Sequence, residues 1–146
     1  MTLNSAGIEQ HVVGRVAELT ADWRPVMREV VLSLPRHLRD SASRRAVLAS
    51  GSHVMSAIAR HRRAGLPTPK TIHVALRAYA FLLLVEQGAT SEQAAFWLGN
   101  SSLSGWNRVL LRLTGLTSIP FRQTYSAERW WTQVERMTRP TMVRAA

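Results

Sequence analysis

The stretch "LGNSSLSGWNR", residues 98–108, decides how this chain is read. Its glycines, serines and asparagine suggest a polar loop, yet Trp106 and the apolar "VLLRL" beyond it are spaced as a helix face. Gly99 suits the end of one helix, where a positive φ is adopted freely only by glycine. Ser101 or Ser102 can cap the next helix, because a serine oxygen accepts from the free N–H groups of a first turn. Trp106, Leu110 and Leu113 then recur at spacings of four and three, the stripe that a buried face requires. This spacing predicts helix, turn and helix, with Leu103, Ser104, Asn107 and Arg108 wholly or partly on the outer side.

The flanks extend the pattern. Thr90 and Gln93 have capping-box spacing and open the short helix "SEQAAFWL". Before it runs a long central helix, from about Thr71 to Gln87, closed by Gly88. Its apolar core "VALRAYAFLLLV" (74–85) contains Arg77 and is too short to span a bilayer, which predicts a buried helix. "GLPTPK" (65–70) is a rigid turn with two prolines. Upstream, Ser52 can cap "HVMSAIARHRRA", and a helix beginning near Ser41–Ser43 runs through "RRAVLA" to Gly51. At the N-terminus "IEQHVVGRVAEL" (8–19) is amphipathic, and a second helix starts at Pro25 and is ended by Pro35. Downstream of Gly115, "LTSIPFRQ" reads as a turn into a last helix, "AERWWTQVERM". Trp130 and Trp131 occupy adjacent helix positions, so the expectation is that one packs on the domain and the other is exposed or only partly covered.

Strand-like alternation is nearly absent, so the fold class is all-α. Two units with the layout of a helix-turn-helix, roughly 42–64 and 90–114, are joined by the long central helix. Residues 1–35 form an N-terminal helical extension, 36–125 the double helix-turn-helix domain, and 126–146 a C-terminal helix and basic tail. The first two helices are candidates to bind a partner or to dimerise.

Charge points to the partner. Of 146 residues, 19 are Lys or Arg and nine are acidic, a net charge of +10. From Arg36 to Arg77 nine basic residues face one acid, Asp40, while from Asn100 to Arg122 there are three arginines and no acid. A basic domain behind a nearly balanced N-terminal segment reads as a nucleic-acid binder ahead of one for a membrane surface or an acidic protein. Lys70 is the only lysine. Arginine suits bidentate recognition of phosphate and guanine, although a GC-rich genome gives the same bias. The absence of cysteine fits a reducing cytoplasm, and the chain is expected to be cytoplasmic and associated with the nucleoid.

A specific resemblance covers residues 65–122. "GLPTPKTIHVALRAYAFLLLVEQGATSEQAAFWLGNSSLSGWNRVLLRLTGLTSIPFR" is similar to the DNA-binding domain of AraC/XylS-type transcription regulators. In that family's second helix-turn-helix, an apolar helix ending in "A..LL" precedes a "G.S...A..LG" helix and a "S..S.F.R.F....G.TP..YR" stretch. Ala80, Leu83, Leu84, Gly88, Ser91, Ala94, Ala95, Leu98, Gly99, Ser101, Ser104, Trp106, Arg108, Leu110, Gly115, Thr117, Phe121 and Arg122 carry the match. Residues 42–64 fit the first helix-turn-helix loosely, with a one-residue shift. The chain departs from the family at Asn100, where an aromatic is usual, at Ser118, where proline is usual, and at Leu111, where a basic residue is common. Gly105 inside the second helix admits two readings: backbone lying against DNA, or tight packing and plain tolerance.

The resemblance implies a sequence-specific regulator of transcription that binds double-stranded DNA as monomer or homodimer. Ser102, Leu103, Ser104, Asn107, Arg108 and Arg112 are the candidates in the second unit. Asn can pair with adenine and Arg with guanine, and short serines allow close approach. Ser52, His53, Ser56, Arg60, Arg62 and Arg63 are the candidates in the first, with Arg44 for phosphate. The five histidines have no metal-ligand spacing, the acids form no catalytic pair, and 65–70 lacks the second glycine of a phosphate-binding loop. Neither an enzyme nor a cofactor is expected, and no membrane. The rival is a protein-interaction module that keeps the fold but docks on RNA polymerase or another regulator.

Overall fold

The computed structural model describes residues 5–41 and 54–139, and every helix boundary below falls within them. Among the described residues there are eight α-helices and no strand: α1 (Ser5–Leu19), α2 (Pro25–Ser33), α3 (Val54–Arg63), α4 (Pro69–Glu86), α5 (Ser91–Trp97), α6 (Leu103–Thr114), α7 (Ser118–Thr124) and α8 (Ala127–Thr138). A 3-10 turn, Leu34–His37, continues directly from α2. The fold is all-α. No helix among the described residues is long and apolar enough to cross a membrane.

The central helix α4 organises the rest. It starts at Pro69 rather than Thr71, because the Thr68 hydroxyl accepts from the Thr71 N–H and Pro69 fills the first helical position, where no N–H is needed. Ile72, Ala75, Leu76, Ala78, Tyr79, Ala80 and Phe81 are all fully buried, so neighbours cover it on nearly every side. The 3-10 turn, α1, α2, α5, α6 and α8 all pack against it.

The N-terminal segment is not an appendage. Ile8, Val12 and Val16 of α1 are fully buried in the same apolar cluster as α4, α6 and α8. The apolar face of α1 is therefore covered inside the molecule.

Two further expectations are corrected. "SIPFRQT" is a helix, α7, and not merely a turn. Pro120 lies in its first turn, where a missing N–H costs nothing. The N–H of Ser118 is taken up by the side-chain Oδ1 of Asn107, at 2.9 Å. Trp130 and Trp131 are both buried. Trp130 sits edge-on to Phe121 and Tyr125 and donates its indole N–H to the Ala75 carbonyl at 3.0 Å. Trp131 turns the other way, to Tyr79 and beneath the Arg15 guanidinium of α1. Two adjacent positions are both covered because α4 and α7 enclose one ring while α1 closes over the other.

Candidate nucleic-acid interface

The second unit is built from local signals. Thr90 and Gln93 form the reciprocal capping box that opens α5. Ala94 and Ala95 are buried, their small side chains letting α5 lie close to α4 and α6. Leu98 ends the helix and Gly99 reverses the chain at φ +85°. Glycine is required there twice over: the φ is left-handed, and a Cβ would overlap the backbone carbonyl of Arg39. Asn100 is buried and donates both its backbone N–H and its side-chain amide to the Ala95 carbonyl, at 3.0 and 3.2 Å. It satisfies the end of α5 by hydrogen bonds rather than by ring packing. Ser102 then caps α6, its hydroxyl accepting from the Gly105 N–H at 3.1 Å.

The two faces of α6 differ sharply. Trp106 and Leu110 are fully buried, and Trp106 packs 5.6 Å from the Phe81 ring. Ser104, Arg108, Leu111 and Arg112 are exposed. At roughly 100° per residue these four fall within about a quarter of the helix circumference, with the exposed Ser101 just ahead of them. Neither Arg108 nor Arg112 has a carboxylate within ion-pair distance among the described residues. An ion pair elsewhere, Arg15–Glu128, joins α1 to α8. The exposed edge of α6 therefore presents hydroxyls, Leu111 and two guanidiniums with no carboxylate partner among the described residues.

The candidate residues of this unit divide accordingly. Ser104, Arg108 and Arg112 lie on the exposed edge. Ser102 is exposed, but its hydroxyl is engaged as the cap. Leu103 is half-buried against the core. Asn107 is half-buried too, and its carbonyl oxygen accepts from both the N–H and the hydroxyl of Ser118, at 2.9 and 2.5 Å. A bidentate contact with adenine needs that oxygen as acceptor and the amide as donor, so Asn107 reads a base only by giving up Ser118 at the start of α7. Ser118 supplies two donors, its N–H and its hydroxyl, that a proline at this position would lack. A Cβ at Gly105 would meet nothing closer than the Ser102 hydroxyl, at 3.5 Å, which removes tight packing as the reason for glycine there.

In the first unit, Arg44, Ser52 and His53 lie outside the described residues, as does the side chain of Ser56. Arg60, Arg62 and Arg63 belong to α3, which packs on α2, and Arg60, Arg62 and Arg63 are exposed there. They belong to a different part of the molecule from the α6 edge, which is carried on α4 and α5.

One constellation had only a single trace in the sequence, the arginine inside an apolar run. Arg77 is fully buried on α4. Its Nε donates to the Leu38 carbonyl at 3.0 Å and its Nη2 to the Leu98 carbonyl at 2.7 Å, while the guanidinium lies 5.2 Å from the centre of the Trp106 ring. One turn earlier the buried His73 hydrogen-bonds the His37 carbonyl at 2.7 Å through Nε2, which must carry the proton because a carbonyl only accepts. Burial pushes the Arg77 pKa down to about 10, opposed by the charge of Asp40, so the group stays cationic at neutral pH. Burial also lowers the pKa of His73, with the charge of Arg77 adding to the effect, and this favours the neutral ring.

No protein-family model, curated protein or solved structure matches the chain.

Proposed function

We propose that the chain is a sequence-specific regulator of transcription that inserts α6 into the major groove of double-stranded DNA. The exposed α6 edge carries this reading: Ser104, Arg108 and Arg112, opposite a face locked into the core by Trp106 and Leu110. Arg108 projects from the middle of that edge and is the proposed guanine reader, Arg112 the phosphate contact, and Ser104 allows close approach near the helix start. The net charge of +10 supplies the sequence-independent attraction. Arg60, Arg62 and Arg63 on α3 would extend the contact to a second part of the site. The similarity of residues 65–122 to AraC/XylS-type domains supports the assignment to transcription.

Selection of bound sequences from a random duplex pool tests the proposal. The expected outcome is a recurrent motif containing guanine; recovery of unenriched sequence overturns it.

A second reading has its own observation. Phe96, Leu111 and Ile119, one on each of α5, α6 and α7, are exposed apolar side chains, and the half-buried Asn107 is engaged by Ser118. These suit a module that docks on RNA polymerase or another regulator. Capture of such a partner that survives nuclease treatment, with no shift of any duplex, favours this alternative.

A further inference from the structure

The turn that presents α6 is held by arginines. Two element ends meet here: the close of the 3-10 turn, at His37 and Leu38, and the close of α5, at Trp97 and Leu98. Both carry the partial negative charge of a helix C-terminus. Arg77 reaches Leu38 with Nε and Leu98 with Nη2, bridging the two from inside. Arg39 does the same from outside, donating Nε to the Trp97 carbonyl at 2.8 Å and laying its guanidinium 5.1 Å from the centre of the Trp97 ring. Between them Gly99 sits so close to the Arg39 carbonyl that no Cβ fits. Beneath the Arg77 guanidinium lies Trp106, the anchor of α6.

This arrangement is an expensive way to fill a core. A fully buried guanidinium is costly to desolvate, and the attraction of Asp40 offsets only part of that cost. What it provides is direction. Apolar surfaces can slide over one another at small cost, whereas a planar guanidinium bonded to two carbonyls admits one arrangement of the elements that carry them. The segment so fixed, residues 37–40, leads into the first unit. The partner segment, 97–99, leads into α6.

We infer that Arg77 and Arg39 are positioning residues that set α6 relative to the N-terminal half, and thereby the spacing between the two parts of a DNA site that one molecule can read. This rests on the reading of α6 as a DNA-binding helix. Neither arginine touches DNA in this role. One inserted base pair moves the second part of a site by about 3.4 Å along the duplex, so a fixed α6 should reject it.

The test compares three duplexes: the sequence selected by the wild-type chain, the same sequence with one base pair inserted between its two parts, and a random duplex. Wild type should prefer the selected duplex to the inserted one by about tenfold or more, comparable with the effect of one mismatched base pair. In Arg39→Ala and Arg77→Met that preference should shrink to about twofold or less. Affinity for random duplex and the slope of its salt dependence should stay unchanged, because they come from phosphate contacts. Arg39 is exposed, so its substitution leaves the core filled and carries the test if Arg77→Met fails to fold. Variants that keep the wild-type preference overturn the inference, as do variants that lose affinity for all three duplexes in proportion. A wild-type chain that selects no duplex overturns instead the DNA reading on which the inference rests.

Discussion

The two sides of α4 are held in different ways. Toward α7 and α8 the contact is aromatic: Tyr79 lies 5.0 Å from Trp131, and Phe81 6.3 Å from Phe121, which meets Trp130 edge-on at 5.1 Å. Toward the 3-10 turn and the end of α5 it is polar, with His73 and Arg77 each donating to backbone carbonyls. The aromatic side contributes mainly stability, since large rings bury the most apolar area and tolerate small shifts. The polar side fixes geometry at some cost in stability. The proposed DNA-reading edge stands on the polar side, where orientation matters more than strength.

Substitutions can break or sharpen this contrast. The largest effect is expected on the aromatic side. Trp130→Ala should lower unfolding free energy by about 3–5 kcal/mol in a denaturant titration, as large-to-small core changes do. While the variant is still folded, its preference among duplexes should be unchanged. A change in preference at full folding would mean that the aromatic side also sets geometry.

On the polar side Gly99→Ala combines a left-handed φ, which costs about 1–2 kcal/mol, with overlap of the Arg39 carbonyl, which costs about as much again. A loss of about 3 kcal/mol, together with a loss of duplex discrimination, is expected. A variant of wild-type stability would show that the turn does not sit this close to Arg39.

Asn107→Ala removes the acceptor of the Ser118 N–H and should cost about 1–2 kcal/mol, the usual effect of losing a helix cap. Contact with a base would show instead as a selective loss on the selected duplex, with stability untouched. Such a result would make Asn107 a reader.

Gly105→Ala has the smallest expected effect and the opposite sign. Nothing obstructs a Cβ there, so helix propensity should raise stability by about 0.5–1 kcal/mol. If the backbone at Gly105 lies against DNA, duplex affinity should fall even as stability rises. Unchanged affinity would leave Gly105 as a tolerated residue.

What was legible in the sequence was local. The capping box at Thr90, the reversal at Gly99, the serine cap of α6 and the burial of Trp106 each depend on residues within one or two turns. So does the edge formed by Ser104, Arg108 and Arg112, because α6 periodicity alone places those residues opposite Trp106. The rest depended on distant partners. α7 looked like a turn because its first N–H is satisfied by Asn107, eleven residues earlier, rather than by its own cap residue. The second tryptophan of the pair at 130–131 is covered by α1, from the far end of the chain. Arg77 stood out in an apolar run, but its carbonyl partners lie 39 and 21 residues before and after it. No periodicity encodes such pairings.

The central claim is that the exposed edge of α6 reads bases. Its most direct test is the affinity of wild type and Arg108→Ala for the selected and the random duplex, followed across a range of salt concentrations. The expected result is a steep linear fall of log K with log salt for both proteins. Arg108→Ala should lose about 1–3 kcal/mol on the selected duplex and little on the random one. Equal losses on the two duplexes, or affinity that is flat in salt, would contradict the account.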